Sequence, residues 1–147
     1  MSYNFLYVKN EVTYVDKESG GLLITEKGRI AQSEKGKQEM QKYEKEKDVC
    51  LTLAKNGHSV THVSDVKKTK ETFDIILDGK KADIKCKSSA NNISRNARKA
   101  TNSQGAQIVV FRFEKINSTV NFEINKLSDK GIHGYYFEKG SLKLMSF

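Results

Sequence analysis

The stretch TFDIILDGKKADIKCKSS, residues 72–89, constrains this chain more than any other. It reads as a β-hairpin, because Asp78-Gly79 favours a two-residue primed turn and the flanking residues alternate. Phe73, Ile75 and Leu77 point one way, and Asp74 and Ile76 the other. In the second strand Ala82, Ile84 and Cys86 share a face, while Asp83, Lys85 and Lys87 share the opposite one. A two-residue turn pairs 77 with 80 and therefore 74 with 83, which sets two carboxylates ~5 Å apart across the ladder. Like charges in that position destabilise a hairpin unless something neutralises them. A divalent metal would do so, with Lys85 two residues along on the same face. A longer turn, shifted by two, would put Asp74 opposite Lys85. In either register the three residues share one face.

The chain around this hairpin has 147 residues, which sets an expectation of one domain with a real core. No apolar run is long enough to span a membrane as a helix, and no N-terminal segment has the pattern of a signal peptide. The expectation is a cytoplasmic site of action, either for this chain alone or for a piece cut from something larger. A net charge of +8 and a pI near 9.4 favour nucleic acid or another polyanion as partner. The two cysteines, Cys50 and Cys86, read as small core residues, and no His/Cys cluster has zinc spacing. With no proline in the chain, breaks must come from glycine and asparagine.

Short strands are expected at FLYV, VTYV, LLIT and GRIAQ within residues 3–33. A helix follows over about 34–56 with Gly57 at its C-terminal cap, then a strand at HSVTHV and a polar loop over 64–71. After the hairpin, Asn91 or Asn92 would cap a second helix, ISRNARKATN, which Gly105 ends. QIVVFRF is the clearest strand. Residues 119–130 form a weaker third helix, and YYFE and LKLMSF are terminal strands. Strands alternating with helices predict an α/β sandwich, three-layer-like, around a central mixed sheet flanked by helices. The expected organisation is a single domain over 1–147. Its N-terminal strands are 1–33, its catalytic core 34–113, and its C-terminal extension of the sheet 114–147.

The long helix supplies a third acid. Its apolar stripe runs through Met40, Tyr43, Cys50 and Leu53, with Val49 and Ala54 beside it, and Glu46 falls inside that stripe. A glutamate on a core-facing stripe needs a partner, unless it reaches the stripe's edge and solvent. One partner would be a metal held near Asp74 and Asp83. These carboxylates would offer hard oxygens to Mg²⁺ or Mn²⁺, with Zn²⁺ less suited, and the backbone carbonyl of Ile84 is an additional ligand candidate. The metal would polarise a phosphodiester and help generate hydroxide, and Lys85 would position water or stabilise developing charge.

A helical Glu, then Asp, then Asp-Ile-Lys across a hairpin resembles the PD-(D/E)XK nuclease superfamily. Glu46, Asp74, Asp83 and Lys85 match its catalytic roles in order, with Phe73 where the pattern's proline would stand. More narrowly, YEKEKDVCLTLAKNGHSV, FDIILDGKKADIKCKSS, NISRNARKA and QGAQIVVFRF resemble C-terminal toxin domains of contact-dependent growth inhibition and related polymorphic toxins. Similar modules occur in mobile-element proteins. The resemblance implies a restriction-endonuclease-like fold and a nuclease acting on transfer RNA in preference to DNA. It also implies a metal set of Glu46, Asp74 and Asp83, a cognate immunity protein, and delivery into a target cell as part of a larger secreted protein.

Lys87, Arg95, Arg98 and Lys99 are the expected substrate-binding residues, since the second helix follows the Asp-Ile-Lys strand directly and guanidinium groups suit phosphate. Ile93, Ala97 and Ala100 face inward on that helix. Lys67, Lys68 and Lys70 form a second basic cluster in a loop. His58 and His62 share a strand face. A metal-independent ribonuclease of the barnase, EndoU or colicin kind is an alternative that the Lys85, Lys87 and Ser88 pattern also fits, and His133 with Tyr135 is the candidate acid–base pair that such metal-free chemistry would need. A DNA-directed nuclease and a non-catalytic nucleic-acid-binding module are the remaining readings.

Overall fold

The computed structural model describes residues 11–64 and 73–147. The expected FLYV strand, most of the polar loop before the hairpin, and Lys67, Lys68 and Lys70 lie outside the described residues. The chain forms two compact units. The first carries residues 11–64 with Ile75–Asp78, and the second carries 73–74 with Gly79–Phe147.

In the first unit, β1 (Glu11–Val15) pairs antiparallel with β2 (Leu22–Glu26). A helix α1 (Lys27–Ser33) and a longer helix α2 (Lys37–Lys55) lead to β3 (Ser59–His62). Strand β3 runs parallel to β2, and β4 (Ile75–Leu77) pairs antiparallel with β3. The stripe on α2 is buried at Tyr43, Val49, Cys50, Leu53 and Ala54, while Met40 is exposed at the helix's first turn and does not join it. The helix stops at Asn56, and Gly57 takes a φ of 91° beyond it, a left-handed conformation that glycine adopts without strain.

GRIAQ is helical, not extended. Its Arg29 and the following Ser33 are four apart and both buried, which is helical spacing, and no turn residue interrupts Ile30, Ala31 and Gln32. What the strand reading missed is that Arg29 has a buried acid to meet, described below.

The hairpin turn is as expected. Asp78 has a φ of 49° and Gly79 of 83°, both left-handed, as a primed two-residue turn requires. Asp78 is held in that unfavourable conformation from both ends. Its N–H donates to Ser59 O at 2.8 Å, its Oδ1 accepts from Ser59 N–H at 2.8 Å, and its Oδ2 lies 2.7 Å from His58 Nδ1.

In the second unit, β5 (Lys80–Lys87) leads through α3 (Ile93–Asn102) to β6 (Ile108–Phe113), parallel to β5. A parallel pair needs such a crossover, and α3 supplies it. A further helix α4 (Ser118–Asp129) precedes β7 (Gly134–Glu138), parallel to β6, and β8 (Met145–Ser146) closes antiparallel on β7. LKLMSF thus contributes only two strand residues. Asn117 caps α4 through its side chain to Val120 N–H, whereas Asn92 at the start of α3 sits at φ 63° and makes no side-chain cap.

The second core gathers Ile93, Ala97 and Ala100 of α3, Val109, Phe111 and Phe113 of β6, and Val120, Ile124 and Leu127 of α4. Truncating one of these phenylalanines to alanine would cost about 3–5 kcal/mol. Both units follow the expected class, α/β with mixed strands flanked by helices. Cys86 departs from expectation: it is exposed, while Cys50 is buried.

Candidate active site

Register decides which way the candidate residues of β5 face. Asp83, Lys85 and Lys87 align with Val109, Phe111 and Phe113 of β6, and residues paired in register on neighbouring strands point to the same side. Those β6 residues pack with α3, so the acid and both lysines project toward that helix. The lysine stems lie along an apolar layer, and their ammonium heads are caught by amide groups from α3 and the turn after it.

Asp83 is 1% exposed. Its Oδ2 lies 2.8 Å from Lys85 Nζ, but the approach lacks hydrogen-bond alignment, so this buried oxygen has charge attraction and no directed donor among the described residues. Lys85 instead donates to Gln104 Oε1 at 3.0 Å, and Lys87 donates to Asn96 Oδ1 at 2.7 Å. Asp74 belongs to the same neighbourhood. Its N–H donates to Ala82 O at 3.0 Å, and its Oδ2 accepts from Ile84 N–H at 2.8 Å, on the peptide that follows Asp83. Burial first, and the Lys85 charge second, hold the Lys87 ammonium below the usual lysine range. No carboxylate pairs with Lys87 among the described residues.

The donor chemistry fits a hard divalent cation. Asp83 Oδ2 is a buried carboxylate oxygen short of a directed donor, and Asp74 brings a second carboxylate to the adjoining peptide. Among the described residues no three His, Cys, Asp or Glu side chains gather as a metal-holding set. Two carboxylates with water and substrate oxygens suit Mg²⁺, which rarely takes an all-protein cage.

Glu46 is engaged within the first unit. Its Oε1 accepts from Arg29 Nη2 at 3.1 Å and lies 2.8 Å from His62 Nε2, with all three side chains buried. Tyr43 stacks on His62, the rings 5.6 Å apart and 2° from parallel, and Arg29 Cζ lies 5.2 Å from the Tyr43 ring centre. Burial alone would push the Glu46 carboxyl up. The His62 hydrogen bond and the charges of His62, Arg29 and Lys42 outweigh it and hold the carboxyl below the usual glutamate range.

The basic residues of α3 divide as expected: Arg95, Arg98 and Lys99 are exposed, and Ile93, Ala97 and Ala100 are buried. His133 is exposed, with Nδ1 3.3 Å from Phe147 O, and Tyr135 is half-buried. Sequence reasoning missed Arg29 and Gln104. Arg29 was hidden by the strand reading, and nothing in the spacing marks a lone glutamine just before Gly105.

No known family model matches the sequence, and no curated protein is significantly similar to it. Among solved structures, a chain of the CdiA-CT/CdiI toxin and immunity complex from Burkholderia pseudomallei is similar in fold. It is 15% identical, with a TM-score of 0.58, and the match covers 76% of this chain and 88% of that one. Among the described residues no helix is long and apolar enough to cross a membrane.

Proposed function

We propose that this chain is a metal-dependent nuclease of the PD-(D/E)XK type. In this reading it is a toxin domain of contact-dependent growth inhibition that cleaves transfer RNA, is delivered as part of a larger protein, and is restrained by a cognate immunity protein. One observation carries the reading. On a single face of β5, buried Asp83 stands 2.8 Å from Lys85, beside the Asp74 carboxylate, with Lys87 next along the strand. The fold similarity to a chain of a toxin and immunity complex supports the toxin setting, and the net charge of +8 supports a polyanionic substrate.

Asp74 and Asp83 would hold Mg²⁺ or Mn²⁺. When bound, the metal would polarise a phosphodiester oxygen and lower the pKa of a bound water. Lys85, anchored by Gln104, stabilises negative charge gathering on the phosphoryl oxygens. Lys87 holds a neighbouring phosphate, and the exposed Arg95, Arg98 and Lys99 extend the basic surface along α3. The pairing of Lys87 with a neutral amide beside Lys85 also favours a second reading, a metal-free ribonuclease in which Lys87 stabilises charge on the substrate phosphoryl oxygens.

The test is a cleavage assay on unfractionated transfer RNA and on plasmid DNA, each with Mg²⁺, Mn²⁺ or EDTA, alongside Asp83→Ala. Metal-dependent cutting of transfer RNA, lost in the variant, is the expected result. Cutting that survives both EDTA and the substitution would remove the metal mechanism and favour the Lys87 reading. Cutting of plasmid alone would move the substrate to DNA.

A further inference from the structure

Lys85 and Lys87 are two cations on one strand face whose side-chain hydrogen bonds among the described residues go to neutral amides. That choice of partner is informative. An amide oxygen fixes an ammonium group in space without cancelling its charge, whereas a carboxylate would do both. Lys85 already has Asp83, but Lys87 pairs with no carboxylate among the described residues, is half-buried, and feels the Lys85 charge. Ordinary folding stability would favour an acid at position 96 or burial of a neutral residue at 87. An unneutralised ammonium held still by an amide is instead the arrangement that binds an anion from solution.

We propose that Asn96 and Gln104 are positioning residues that hold Lys87 and Lys85 as a two-point clamp on adjacent phosphoryl oxygens of a nucleic-acid backbone. The proposal deepens the nuclease reading and rests on it for the identity of the anion. Helix α3 serves the clamp at both ends, with Asn96 in its first turn holding Lys87 and Gln104 beyond its last turn holding Lys85. The two amides have separate consequences. Gln104 aims the lysine that stands against Asp83, so it acts on turnover. Asn96 aims the lysine one step farther along the strand, so it acts on substrate capture.

The discriminating substitution is Asn96→Asp. It keeps the shape of the side chain and its hydrogen bond to Lys87 but adds the charge that the clamp avoids. A purely structural role for Asn96 would leave this variant at least as good as wild type, with Asn96→Ala the worse of the two. The clamp requires the reverse order. Binding of fluorescently labelled, unfractionated transfer RNA would be measured in EDTA across a salt series, with thermal unfolding alongside. Asn96→Asp should bind about tenfold more weakly than wild type, with the salt slope reduced by about one, while its melting temperature holds. Asn96→Ala should lose less affinity. In Mg²⁺, Gln104→Ala should lower kcat with little change in KM.

Binding by Asn96→Asp equal to or tighter than wild type would overturn the clamp. Wild-type protein that binds transfer RNA but fails to cut it in Mg²⁺ or Mn²⁺ would remove the nuclease reading and leave the clamp standing on its binding data. Absence of wild-type binding at low salt would overturn both.

Discussion

Glu46 in the first unit and Asp83 in the second are both acids withdrawn from water, yet their surroundings differ in kind. Glu46 meets a guanidinium and an imidazole at hydrogen-bonding distance on one oxygen, and its carboxyl is held low as a result. Among the described residues, Asp83 meets the Lys85 ammonium without hydrogen-bond alignment and keeps a buried oxygen with no directed donor. Two charge-assisted contacts on one oxygen tie Glu46 to its own unit, although Arg29 Nη1 and His62 Nδ1 are buried without a hydrogen-bond partner among the described residues. A buried acid that is only partly met by donors keeps the capacity to take a further ligand. Burial alone therefore does not distinguish these two acids, whereas the donors around each do.

The largest expected effect tests the first half of that contrast. Glu46→Ala leaves Arg29 and His62 facing each other in the interior, and breaking a buried pair this way costs about 3–5 kcal/mol. Urea unfolding would measure it, and a change within error of zero would show that the network does not hold the first unit together.

Asp74→Asn comes next. It should reduce cleavage by about a hundredfold, since metal-assisted stabilisation is worth several kcal/mol and each 1.4 kcal/mol is tenfold in rate. Single-turnover kinetics on transfer RNA would read this directly, and activity within threefold of wild type would remove Asp74 from the site.

The pH dependence of stability separates the units further. The Glu46 carboxyl titrates lower when folded than when unfolded, so its stabilisation is complete above the ordinary glutamate pKa, about 4.3, and drains away as pH falls through the lowered value. The stability gap between wild type and Glu46→Gln should therefore narrow in acid. A gap that stays constant from pH 7 to pH 3 would contradict the ionised network. The smallest effect is expected at the surface: replacing Arg95 and Arg98 together by alanine should weaken transfer RNA binding and reduce its salt slope by about one per residue, with thermal stability unchanged.

The hairpin was legible because it is governed by local rules. Asp78-Gly79 demands a primed turn, and period-two alternation then puts Asp83, Lys85 and Lys87 on one face. The helix α3 was equally readable from its inward Ile93, Ala97 and Ala100. The first unit yielded less. Arg29 in GRIAQ looked like part of a strand because its reason for being helical is a buried partner seventeen residues away, and no local pattern encodes that. Glu46 was flagged as a stripe residue in need of a partner. A metal and solvent at the stripe's edge are the two partners the sequence suggests, and the structure adds Arg29 and His62. Met40 and Cys86 were misplaced because each continues an apolar pattern one step beyond where its element is covered. Gln104 lies outside any periodic element, so only three-dimensional placement against Lys85 distinguishes it.

The most direct measurement is cleavage of transfer RNA by Asp83→Asn at saturating Mg²⁺, with thermal unfolding of the same sample. Asparagine keeps the shape of the side chain and removes the charge that would hold the metal. Cleavage should fall at least about a hundredfold while the melting temperature stays within a few degrees of wild type. Retained cleavage, or a collapse in stability that accounts for the loss, would make Asp83 a structural acid and contradict the assignment of the β5 face as the active site.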